Sequence, residues 1–195
     1  RIRKEGFDAR LAAQVAAWEA YWSESYVALP DVQLQKVYQT ASYHLRANAT
    51  KWSSPVGIFS THWSGRYFGF DEMYCMQGLA SSNHLAISRR TPEFRFNTLP
   101  VAKHRVAHYG KEGSFGARYS WESMENGVEA APQRYGFWHD HVFHMSHIAS
   151  SCWTQYQYSA DLDYLKAVGY PVIKECARFF LTHMVYENKD GSMFI

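Results

Sequence analysis

Trp63-Ser64-Gly65-Arg66-Tyr67-Phe68-Gly69-Phe70-Asp71-Glu72 is the stretch from which the rest of the chain can be read. Before it, residues 48–70 lose all helical period and are dense in Gly, Ser, Pro and Thr. After it, Met73, Tyr74, Met76 and Leu79 recur at helical spacing towards Asn83, so a long loop enters a helix near Asp71. Loops this long inside a compact domain tend to carry function. A short hairpin through Val56-Gly57-Ile58-Phe59 is expected within this one. A tryptophan stands beside carboxylates here, again at Trp121-Glu122, and again at Trp138-His139-Asp140-His141. That combination suits a polyhydroxylated, uncharged ring. Aromatic faces cover its C–H patches, and carboxylates accept bonds from its hydroxyls. A carboxylic acid held protonated beside apolar rings can also protonate a glycosidic oxygen.

Working outward, the periodicity predicts helices and little else. Leu11, Val15, Trp18 and Trp22 mark one from about Phe7 to Tyr26. Asp31 caps a second, Val32 to about Ala47, with Leu34, Val37, Tyr38, Ala41 and Leu45 on one face. Others are predicted from Thr91 to about His108 despite Pro100, and from near Trp138 to Ser159. Gly169-Tyr170-Pro171 is expected to break the chain before a last helix from about Pro171 to Tyr186, with Val172, Ile173, Cys176, Phe179, Phe180 and Met184 inward. Short connections between such helices favour antiparallel stacking. The reading is one all-α domain: a leading helix and linker over residues 1–30, then helix hairpins over residues 31–195.

Bulk properties exclude several classes. The 195 residues are 47% hydrophobic and 17% aromatic, enough for a sizeable core. A formal charge of +2 with no long Lys/Arg block argues against nucleic acid as the main partner. No apolar run is long enough for a transmembrane helix. Cys75, Cys152 and Cys176 are too few and too scattered for a disulfide framework or zinc motif and read as free thiols. The chain opens at Arg1 without an initiator Met and stops just past the turn Asn188-Lys189-Asp190-Gly191, so it reads as a piece of a longer protein. Bacterial periplasm and cytoplasm both remain open, as does homo-oligomerisation.

The motifs resemble glycoside hydrolase family 65, which groups disaccharide phosphorylases with some glucosidases. Trp63-x-Gly65-x-x-Phe68-x-Phe70-Asp71-Glu72 is similar to one family loop. Trp121-Glu122-Ser123-x-x-x-Gly127-x-Glu129, preceded by Gly116-Ala117, is similar to a second. Leu34-Gln35 resembles the first barrel helix, and Asp161-x-Asp163-Tyr164-Leu165 with Glu175-x-Ala177-Arg178-Phe179-Phe180 resembles the later helices. The resemblance implies an (α/α)6 barrel of the six-hairpin glycosidase type, with roughly the N-terminal half of its helices in this chain. It also implies inverting cleavage of an α-linked glucoside by hydrolysis or phosphorolysis. No organic cofactor or metal is implied, and inorganic phosphate would be co-substrate in a phosphorylase. The partners implied are an oligosaccharide or glycoside and the rest of the polypeptide, with the catalytic base or phosphate site beyond Ile195.

One departure stands out. The resemblance implies a Glu general acid at the start of a barrel helix. Aligned on Ile148-Ala149, that position falls at or next to Asp140, in a run without Glu. Asp can perform the same protonation with one methylene less reach. Two other readings stay open: a carbohydrate-binding or scaffold barrel that lost the acid, and a metal enzyme using Asp140 with His144 and His147 or with His141 and His144. Asp140 is assigned as the acid. Trp63, Arg66, Phe70, Asp71, Glu72, Trp121, Glu122, Trp138 and His141 are assigned to the sugar. Asp71 and Glu72 have a plainer role as helix N-terminal acids. Arg66 and Arg118 are alternatives for pairing with Glu122, Glu125 and Glu129 rather than touching substrate. Trp52, Trp63, Trp121 and Trp138 fall in loops or at helix starts, whereas Trp18, Trp22 and Trp153 lie on helical stripes and are expected in the core.

Overall fold

Helix α1 spans Phe7–Glu24 and α2 spans Val32–Asn48. The sequence starts α2 sharply, because Asp31 Oδ1 accepts from the Gln33 and Leu34 N–H groups at 2.8 and 2.9 Å. The two helices form an antiparallel hairpin. Tyr21 Oη donates to Ser42 O at 3.1 Å, Trp18 stacks on Tyr43 at 4.7 Å, and Gln35 Oε1 accepts from Leu29 N at 2.7 Å to tie down the linker. The structure, a computed structural model, describes residues 6–57, 63, 65–109, 112–131 and 141–194.

The later elements are α3 (Gly69–Ser81), α4 (Leu85–Ser88), α5 (Arg90–Asn97), α6 (Leu99–Tyr109) and α7 (His144–Ser159). Then come α8 (Leu162–Tyr164), a π-helical turn (Leu165–Gly169), α9 (Tyr170–His183) and a two-strand hairpin, β1 (Tyr186–Glu187) with β2 (Met193–Phe194). Helix α7 lies at the centre, packed between α3 and α9. Helices α3 and α7 run the same way. Gly69 at the start of α3 meets the start of α7, where an added Cβ would lie 2.9 Å from Ile148 Cγ1. Beyond the other end of α3, Ser88 Oγ donates to Gln155 Oε1 at 2.6 Å, near the end of α7. Ala102, Val106, Tyr119, Met145, Ile148, Cys152, Val172, Cys176 and Phe179 fuse α6, α7 and α9 into one core. This is the all-α architecture of stacked helices expected for part of an (α/α)6 barrel. The three cysteines are free.

Four expectations change. The single helix predicted over Thr91–His108 is two, divided at Thr98. Its backbone N–H and Oγ1 both bond Phe94 O, at 3.0 and 2.9 Å, closing α5, and Pro100 falls in the first turn of α6 where no N–H is needed. Gly169-Tyr170-Pro171 does not break the chain. The π turn widens the helix, Tyr170 N–H bonding Leu165 O five residues back, and this accommodates Pro171 without the clash an α-helical interior would impose. The helix placed near Trp138 begins only at His144, since 141–143 are not helical; Trp138 itself lies outside the described residues. Finally, Trp153, expected in the core, is exposed; Leu11, Val15, Leu34 and Val37 are exposed too, so the outer stripes of α1 and α2 are uncovered among the described residues. Of the hairpin expected at Val56–Phe59, Ile58 and Phe59 lie outside the described residues.

Candidate functional site

Two loops far apart in sequence are stitched together in front of α3. Tyr67 and Ser123 exchange both backbone bonds, at 2.9 and 3.0 Å, as an antiparallel bridge. Behind the bridge sits Arg95 of α5, fully buried. Its Nε donates to Glu72 Oε2 at 2.8 Å and its Nη2 to the same oxygen. Nη1 reaches Ser123 Oγ at 2.9 Å and Nη2 reaches Tyr67 O at 3.3 Å. One guanidinium thus joins the first turn of α3 to both loops. A buried charge pair of this kind is tolerated because each partner is charge-compensated and hydrogen-bonded. Burial pushes the Glu72 carboxyl up, opposed by the Arg95 charge.

The second loop is held by Glu129. Its Oε2 accepts from Trp121 N at 2.8 Å, and its Oε1 accepts from Glu122 N at 2.8 Å and Ala131 N at 3.2 Å. Arg105 of α6 completes it, Nη2 lying 3.2 Å from Oε2.

These supports frame a cavity of about 250 Å³ lined by Val56, Trp63, Phe68, Phe70, Asp71, Trp121 and Glu122. Its walls are aromatic. Phe70 stacks on Trp121 at 5.5 Å, Phe68 meets Trp121 edge-on at 5.3 Å, and Trp63 meets Phe68 edge-on at 6.5 Å. Val56 is placed by its N–H bonding Arg66 O at 3.1 Å. Asp71 projects from the first turn of α3, and its buried Oδ2 has no hydrogen-bonding partner among the described residues. Burial raises the Asp71 carboxyl above the usual range. A carboxylate with spare acceptor capacity, set among aromatic faces, is what a sugar hydroxyl requires.

The residues assigned from sequence therefore divide. Trp63, Phe70, Asp71, Trp121 and Glu122 meet in one cavity, although 59 positions separate the first from the last. His141 packs against Trp121, with ring centres 4.5 Å apart, and is not among the lining residues. Glu72 is drawn away from the cavity to Arg95, which alters its assignment from sugar contact to internal support. Arg66 contributes its backbone to the loop and is not among the lining residues. Asp140 and Trp138 lie outside the described residues. Glu72 pairs with Arg95 and Glu129 with Arg105, two arginines that sequence reasoning did not mark. A signal for Arg95 was present: it shares the buried stripe Thr91, Phe94, Arg95, Thr98 of α5, where an isolated arginine needs a buried anion.

Two histidines of α7 adjoin the aromatic wall of the cavity. His144 is buried, with Nε2 3.0 Å from Tyr119 O, and burial depresses it to about 3, so it stays neutral. His147 packs edge-on to Phe70 at 6.4 Å. Among the described residues no group of three or more His, Cys, Asp or Glu side chains is gathered for a metal.

Residues 32–195 match the glycosyl hydrolase family 65 central catalytic domain. Over 95% of its length the chain is 26% identical to a kojibiose hydrolase of Flavobacterium johnsoniae. Over 97% it is 28% identical to a kojibiose hydrolase of Mucilaginibacter mallensis, and over 91% it is 26% identical to a nigerose phosphorylase of Lachnoclostridium phytofermentans. It spans 27%, 28% and 25% of the length of these three relatives.

Proposed function

Because this chain belongs to glycosyl hydrolase family 65, through the central catalytic domain matched over residues 32–195, we propose that it supplies the glucose-binding part of an enzyme that cleaves a short α-glucoside with inversion. The observation that carries the reading is the cavity itself. At about 250 Å³ it falls just below the roughly 300–1,000 Å³ of drug-sized pockets, a size suited to one hexose ring. Trp121, Phe70 and Trp63 offer faces for the ring's C–H patches, while Asp71 and Glu122 take its hydroxyls. The named relatives point to kojibiose or nigerose as the substrate to try first, split by water or by inorganic phosphate. No organic cofactor enters this scheme.

In such a reaction a carboxylic acid protonates the departing oxygen while the acceptor attacks the anomeric carbon from the opposite face. Asp140, the residue preceding His141 in the chain, is the acid we assign. The groups that activate water or phosphate are assigned to the remainder of the polypeptide.

The test uses the full-length protein. Wild type is offered kojibiose, nigerose and maltose, with and without phosphate, and the anomer of the released sugar is read by NMR. Asp140→Asn should abolish turnover and leave sugar affinity within about threefold of wild type, as expected when only transition-state stabilisation is removed. Full turnover in that variant takes Asp140 out of the mechanism. Absence of any glucoside binding by wild type overturns the functional reading.

A further inference from the structure

Two acids of the Trp121–Glu129 segment have no task in the chemistry above: Glu125, which is exposed, and Glu129, which is not. The Glu129 side chain is 9% exposed, and its two oxygens are divided between the amides of Trp121 and Glu122, the aromatic wall and the acid of the cavity. Three backbone N–H donors and the Arg105 guanidinium surround it, which fills a carboxylate's acceptor capacity and leaves it closed to ligand.

We infer that Glu129 is a positioning residue for sugar binding: it fixes the Trp121–Glu122 main chain so that the indole and the carboxylate face one ring at a set spacing. The inference rests on the sugar-binding reading of the cavity. The physical reason is the nature of the segment. Trp121 and Glu122 belong to no helix or strand, and the ladder that would otherwise orient them consists of the single bridges Ser123↔Tyr67 and Ser123↔Glu129. Two charge-assisted bonds on consecutive amides fix the dipeptide where a neutral turn would leave it loose. Arg105 Nη2, 3.2 Å from Oε2, sets one cation from α6 against the carboxylate and completes its ring of donors. Glu129 binds nothing itself, yet sets the geometry of the two groups that do. A shift of 1 Å at such a site is enough to weaken a precisely spaced pair of contacts.

The experiment compares wild type, Glu129→Ala and Glu129→Gln in the full-length protein, with KM and kcat measured separately on the glucoside that wild type turns over. The expected result for Glu129→Ala is a KM raised about tenfold or more with kcat within about threefold, the mark of lost ground-state and transition-state binding together. Glu129→Gln keeps one acceptor oxygen and the side-chain volume, so its KM should lie between the two. A purely structural role would instead lower the folded, active fraction, reducing apparent kcat and the melting temperature with KM unchanged. An unchanged KM in both variants overturns the inference. If the Ala variant fails to fold, the Gln variant decides alone by the same criterion. A wild type that binds no α-glucoside removes the sugar-binding reading first, and this inference with it; an active wild type with an insensitive KM removes only the inference.

Discussion

Replacing Arg95 by methionine would test how the two loops are held. Arg95 is fully buried and supplies four donor contacts, two to Glu72 Oε2 and one each to Ser123 Oγ and Tyr67 O. Methionine fills much of the volume but donates nothing. Removing one partner of a buried ion pair costs about 3–5 kcal/mol, because the other charge is stranded. The acceptors on Ser123 and Tyr67 are left partly unsatisfied, which tends towards the upper end of that range. The double variant Arg95→Met with Glu72→Leu removes both charges together, and should cost about 2 kcal/mol less than the sum of the two single changes. Urea unfolding of the full-length protein, followed by tryptophan fluorescence, measures all three arms of this cycle. A pH series adds a second readout. With Arg95 gone, the folded Glu72 carboxyl lies further above its unfolded value, so the folded state holds a proton that the unfolded state releases. Stability of the single variant should then fall as pH rises through that interval, and its deficit should shrink towards pH 4. Strict additivity in the cycle, or a cost below about 1 kcal/mol for Arg95→Met, would refute the argument that this guanidinium joins α3 to both loops.

Other consequences are as direct. His144 titrates near 3 when folded against 6.5 in the unfolded chain, so the unfolded state takes up the proton first and stability should decline as pH drops below 6.5, by up to about 1.4 kcal/mol per unit; His144→Gln should flatten that slope in urea melts at pH 4–7. Gly116 has φ +107°, and a Cβ there would lie 2.4 Å from Glu175 O and Phe179 N, so Gly116→Ala should cost more than about 3 kcal/mol or prevent accumulation of soluble protein, read by expression and thermal melting. Asp71→Asn preserves shape but halves the acceptor capacity facing the cavity, and should raise the glucoside KM about tenfold; in wild type, affinity should weaken on acidification through a pKa above the usual carboxylate value, as titration calorimetry at several pH values would show. Cys176, buried with its thiol pushed up to about 12, should resist thiol reagents in the folded protein and react once it is denatured.

The sequence by itself determined the helices and the chemical character of the site. Heptad-like stripes such as Val172, Cys176 and Phe179 fall inward because 3.6-residue periodicity is a local property, and Asp31 caps α2 through contacts only two and three residues away. Residue types and the family resemblance were enough to group Trp63, Phe70, Asp71, Trp121 and Glu122, which line one cavity. What only the tertiary structure decided was direction. Asp71 and Glu72 are neighbours with the same chemistry, yet helix geometry turns one into the cavity and the other into the core, and the difference rests on Arg95, 23 positions beyond Glu72. The supports at Arg95, Arg105 and Glu129 act mainly through contacts across 7 to 28 positions, which no local pattern records. The same reason explains the exposed stripes of α1 and α2: amphipathic spacing says that a face is apolar, and only packing says what covers it.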